Sequence, residues 1–160
     1  MSSESPHIDI PNPDANPTDK MVFLQEQMVN FLKQYSMPIL EVSLVLSKYT
    51  RQLSDALVSH ANEMGESVPP ILVEPWPLLG HDESASLLNG PDLDSLLNNV
   101  DHDRMDIFDT ILRTAMHATE MSFSDALMQL RQWEHLVRSQ LADAKRTGQL
   151  FSPLMIPDDW

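Results

Sequence analysis

Cysteine is absent from all 160 residues, which excludes disulfides, thiolate catalysis and cysteine-ligated zinc and leaves packing alone to hold the fold. A reducing compartment suits such a chain. Glycine is nearly as scarce, and four residues provide no Gly-rich cradle for phosphate. Long apolar runs are missing as well. No stretch approaches the ~18 consecutive apolar residues of a membrane span, and the polar, Pro-containing stretch Met1 to Lys20 holds no signal-peptide core. The expectation is a cytoplasmic protein without a membrane span. Basic residues are few: ten Lys and Arg face twenty-four Asp and Glu, for a formal net charge of −14. Nucleic acid and anionic membranes would repel that charge, so neither is expected as a direct partner, while basic protein surfaces stay open.

What the chain does contain is amphipathic periodicity in two long blocks. At this length one domain hides roughly 68–70% of its unfolded surface. The charge is unevenly spread. Residues 66–103 carry eight acids (Glu66, Glu74, Asp82, Glu83, Asp92, Asp94, Asp101 and Asp103) and no Lys or Arg, whereas residues 104–147 balance six acids with six bases. Residues 21–64 are nearly neutral. The two blocks therefore read as packed scaffold, and the links between them as solvated or partner-facing surface.

In the first block, Met21, Leu24, Met28, Phe31, Leu32 and Tyr35 recur at three- and four-residue spacing after Thr18, until Pro38 interrupts. A second stripe, Val42, Val45, Leu46, Tyr49, Leu53, Leu57, His60 and Met64, stops at Gly65. In the second block Asp101 or Asp103 is placed to cap a helix carrying Met105, Phe108, Ile111, Leu112 and Ala115. Ser122 with Asp125 resembles a capping box for a fourth helix with Phe123, Leu127, Leu130, Trp133, Val137 and Leu141, ending near Lys145, Arg146 and Gly148. Four such helices need one another to bury their stripes. The predicted fold is all-α: an antiparallel helical bundle of about four helices (19–36, 38–64, 102–120, 122–147), with a flexible arm over 1–18, a long acidic, Pro-containing crossover over 65–101 and an apolar-acidic tail over 148–160.

Several constellations invite chemistry. His60-Ala61-Asn62-Glu63-Met64 and His117-Ala118-Thr119-Glu120-Met121 each set His and Glu three residues apart, the spacing di-metal bundle sites use in the opposite order. Their positions on the helical wheel disfavour convergence: His60 sits within its apolar stripe and His117 about half a turn from its own. No metal, cofactor or catalytic residue is assigned. The acids from Asp101 to Asp109 lack the glycine turn of a calcium loop and read as helix capping. His60 and Glu134 are polar intrusions into apolar stripes, expected to pair with each other or to mark where another chain docks, unless each merely sits at its stripe's edge.

Partner contacts are expected instead. Leu93, Leu96 and Leu97 have the spacing of a short amphipathic helix for a hydrophobic groove, or for a lid over the protein's own helices. Trp76, between Pro75 and Pro77, is a stiffly held aromatic anchor. Leu154, Ile156 and Trp160 make an apolar tail that either folds back or is held by a partner. The function these features imply is a non-enzymatic protein–protein interaction module: a helical adaptor, assembly factor or accessory chaperone of a larger machine. Its partners would be basic or present an apolar groove, and self-association stays open. In size and acidity the chain is similar to small accessory chaperones of bacterial secretion and phage assembly. An acidic decoy that imitates nucleic acid is the alternative, and a di-metal enzyme on His60, Glu63, His117 and Glu120 ranks below both.

Overall fold

The computed structural model describes residues 10–78 and 93–160. The arm's residues 1–9 and the crossover's residues 79–92, with Asp82, Glu83, Leu87, Leu88 and Asp92, lie outside them, as does the side chain of Leu93. The described residues form an all-α protein with no strand among them, and their elements are α1 (Pro17–Tyr35), α2 (Ile39–Glu63), α3 (Pro70–Val73), α4 (Leu93–Leu97), α5 (His102–Ala118), α6 (Phe123–Asp143) and a 3-10 helix (Thr147–Phe151). Among the described residues no helix is long and apolar enough to cross a membrane.

Capping chemistry sets most of these boundaries. Asn16, with Pro17 behind it at the first helical position, accepts a bond from the Asp19 N–H at 2.9 Å and starts α1. Asp101 does the same for α5 through the Arg104 N–H, and Ser122 for α6 through the Asp125 N–H. Three helices end alike. Ser36, Gly65 and Glu120 adopt positive φ (47°, 71° and 50°), and the next residue's N–H turns back to Leu32, Ala61 and Met116. This Schellman closure satisfies the last carbonyls of α1, α2 and α5. Helix α6 ends earlier than Lys145 and Arg146 implied, because Ala144 takes an extended conformation.

Hydrogen-bonded pairs fix the helix directions. Glu41 meets Arg104 and Tyr49 meets Asp109, so α2 and α5 run parallel. Thr50 meets Glu134 and Ser54 meets Arg131, so α2 and α6 run antiparallel. A parallel pair explains the long link between α2 and α5. The chain must return the length of a 25-residue helix, about 38 Å at 1.5 Å per residue, before α5 can begin. The main packing partners are α2 with α6 and α1 with α5, so helices that follow one another in sequence are not each other's principal neighbours.

The core runs through all four long helices. Leu24, Met28, Leu40, Leu46, Phe108, Leu112, Leu130 and Trp133 are almost wholly removed from water, each worth about 1.5–3 kcal/mol of burial. Phe31 stacks on Phe108 with ring centroids 5.4 Å apart and planes within 7°, joining α1 to α5. The segment after α6 closes over the end of this core. Leu150 and Leu154 are buried, the Ile39 N–H donates to the Ser152 carbonyl and the Leu154 N–H to that of Met37. Gln140 on α6 bonds both backbone groups of Met155.

Candidate functional site

Three charged clusters lie between the helices, and each is closed by partners from the same chain. In the first, Glu41, only 1% exposed, receives two bonds from the Arg104 guanidinium (Nε 2.7 Å, Nη2 2.6 Å) and one from the Asp101 N–H. In the second, Arg131 and Glu134 form a buried pair at 2.8 Å, one turn apart on α6. Thr50 bonds the carboxylate, Ser54 bonds the guanidinium, and Arg131 also donates to the carbonyls of Leu72 and Val73 at the end of α3. Further along α6, Arg138 donates to the Trp76 carbonyl, and His135 Nε2 lies 3.2 Å from that of Pro77. The Pro-punctuated segment 70–77 is thus strapped to α6 through its backbone oxygens. A buried charge pair is tolerable only when its spare hydrogen-bonding positions are filled in this way.

The third cluster joins α2 to α5. Asp109 accepts from the Tyr49 hydroxyl and from Lys48 Nζ, and Arg113 Nη2 approaches it at 3.6 Å. Burial pushes the Asp109 carboxyl up, but the hydrogen bonds from Lys48 and Tyr49 and the nearby Lys48 and Arg113 charges outweigh it and hold the group below the ordinary aspartate value. Burial, together with the bond to Asp109, pushes the Tyr49 phenol well above its usual value.

The sequence-derived candidates fall in several places. Glu134 is buried, with Arg131 and Thr50 as its partners; His60 is exposed near the end of α2 and is not among them. The pairing expected between those two residues is replaced by one within α6, because Arg131 stands one turn from Glu134 while His60 lies ten residues beyond Thr50 along α2. Glu63, His117 and Glu120 are exposed, and among the described residues no three His, Asp or Glu side chains gather as a metal would require. Leu96 turns into the protein's own core and Leu97 is half-buried. Trp76 donates through Nε1 to the Ile71 carbonyl and faces the His135 ring. Leu154 is buried, Ile156 packs against the core, and Trp160 meets Trp133 edge to face at 4.7 Å. The tail therefore folds back onto the chain that carries it.

Among the described residues, open apolar surface includes two clefts between long helices. One, of about 480 Å³, lies between α2, α5 and the start of α6; Tyr49, Leu53, Met116, Met121 and Phe123 line it together with Arg113, His117 and Glu120. Phe123 is 50% exposed there. The other, of about 570 Å³, runs along α1 and α5, with Phe31, Tyr35, Ile107 and Ile111 flanked by the uncharged Gln27, Asn30 and Gln34. Ile107 and Tyr35 are 47% and 46% exposed. Sequence reasoning placed Phe123 in the core stripe. Its position directly after the cap Ser122 was the available signal, since a first-turn residue lies at the end of the stripe and not within it.

Comparison of the chain with protein-family models, curated proteins and solved structures finds no match.

Proposed function

We propose that this protein is a non-enzymatic interaction module, its four long helices forming a bundle joined by the acidic crossover, and that it holds a partner protein in the manner of an adaptor, assembly factor or accessory chaperone. One observation carries the reading: Phe123, Ile107 and Tyr35 stand half-exposed at the mouths of clefts between long helices. Large apolar side chains gathered at such mouths are costly to leave in water, and a groove between helices is a common seat for a partner's apolar segment. Supporting it, the ion pairs of Glu41, Glu134 and Asp109 all span or brace helices, so these groups do structural work. The formal charge of −14 keeps free copies apart and biases association toward surfaces that are not themselves acidic.

The test is retention of host proteins by the immobilised full chain and by two single variants, Phe123→Asp and Ile107→Asp. A defined protein kept by the parent chain and lost from at least one variant, with melting temperature unchanged, is the expected result. Identical retention by all three would overturn the reading. Sedimentation of the purified chain separates a second copy of itself from a different partner.

A further inference from the structure

We infer that the groove between α1 and α5 is the seat of an extended, uncharged apolar segment of a partner protein, gripped through its backbone by the side-chain amides of Asn30 and Gln34. The inference rests on the interaction-module reading and names the groove and the chemistry of what it holds.

The lining of the groove divides by chemistry. Phe31 and Tyr35, their ring centroids 4.7 Å apart, make its aromatic part, and Ile107 and Ile111 line it from α5. The rest of the lining is Gln27, Asn30 and Gln34 on α1. Steps of three and four residues set these amides along one face of the helix. Among the described residues none of the three side-chain amides has a hydrogen-bond partner. The groove therefore pairs an apolar surface with a row of groups that both donate and accept.

Charge narrows the choice of occupant. No lining residue is charged, so an acid or a base set into the groove loses its water and gains no partner. A second copy of the chain carries the same −14 and is opposed by it. Backbone shape then decides among neutral segments. A helix has satisfied its own amides and carbonyls and makes no use of the row on α1. An extended segment has not: along one edge every second residue presents both an N–H and a C=O, at a repeat of about 6.6 Å. Asn30 and Gln34, four residues apart, stand about 6 Å apart along the helix axis, so each can close on one such residue. The chain already grips itself in this way. Gln140, on α6, donates to the Met155 carbonyl at 2.6 Å and accepts from the Met155 N–H at 2.9 Å, and Met155 belongs to no helix. Asn30 and Gln34 offer the same chemistry beside an apolar groove of about 570 Å³. Main-chain bonds there give affinity, and alternate side chains reaching Tyr35 and Ile107 give specificity.

The probes are two synthetic peptides, uncharged and capped at both ends, titrated into the full-length protein. One alternates Val with Thr; the other, of Ala, Leu and Gln, is held helical by α-methyl residues. The Val-Thr peptide is expected to bind with a Kd below about 1 mM, to shift the amide resonances of Phe31, Tyr35 and Ile107, and to bind more tightly than the helical one. Asn30→Leu and Gln34→Leu each remove an amide and keep the groove apolar, and each should weaken the Val-Thr peptide about two- to tenfold. Ile107→Asp should abolish its binding. All three positions are exposed, so an unchanged melting temperature serves as the control for folding. The inference is overturned if the Val-Thr peptide fails to bind at about 1 mM, if both leucine variants hold it as tightly as the parent, or if the helical peptide binds more tightly. Should any of these occur while host-protein retention is still lost in a variant, the interaction reading stands and only the occupant assigned to this groove fails.

Discussion

The two principal seams of the molecule are held by opposite means. Between α1 and α5 the contact is aromatic and aliphatic, with Phe31 laid flat on Phe108 and Leu112 buried in the same core. Between α2 and α6 the apolar contact is joined by a buried ion pair of α6 that hydrogen-bonds Thr50 and Ser54 of α2, and Arg131 ties in the strap of residues 70–77 besides. An apolar seam tolerates any substitution that keeps its volume, because dispersion and burial have no direction. A charged seam depends on every member, because each one removed leaves another uncompensated in low dielectric.

The sharpest way to break the comparison is to remove one member from each seam. Arg131→Met strands the Glu134 carboxylate and is expected to cost about 3–5 kcal/mol in urea unfolding. Phe108→Ala should cost a similar amount, about 3–5 kcal/mol, through lost burial and the cavity left behind. Second-site rescue distinguishes them. Adding Glu134→Leu to Arg131→Met removes the stranded charge and should recover much of the stability, but not the protection of the strap's amides from hydrogen exchange, since Leu72 and Val73 lose their donor. No polar change at Phe31 should rescue Phe108→Ala.

A smaller effect sharpens the contrast at the helix ends. Glu120 takes the left-handed position that Gly65 fills at the end of α2. A side chain there costs roughly 1–2 kcal/mol, partly offset by the greater freedom glycine gives the unfolded chain. Glu120→Gly is expected to stabilise the fold by about 0.5–1 kcal/mol, read as a raised melting temperature. The least effect concerns the grip of α5 on α2. Because Asp109 is held below the ordinary aspartate value of 3.8, the folded state favours its ionised form. That contribution is complete above the unfolded pKa and is lost as pH falls through the depressed folded value. Unfolding midpoints measured downward from about pH 4 should decline less steeply in Asp109→Asn than in the parent.

The all-α class was legible in the stripes alone, and so were particular ends: Pro38 after α1, Asp101 and Ser122 at the caps of α5 and α6. These are local signals, resolved within one or two turns of chain. The charged clusters were not legible, because Glu41 with Arg104 and Arg131 with Ser54 join residues far apart in sequence. Glu134 stood out as a polar intrusion, and its partner was within reach of the helical repeat, three residues back at Arg131. The clefts escaped notice because a stripe tells which residues are apolar and not which of them the packing of neighbouring helices leaves open; for Phe123 the one local signal was its place in the first turn of α6.

The interleaved pairing of helices also governs how this chain comes into being. As it emerges from a ribosome, α1 and α2 appear first, yet the surfaces that cover them belong to α5 and α6. Their apolar sides stay bare until the second half has been made, and surface exposed in that interval is open to non-native contact.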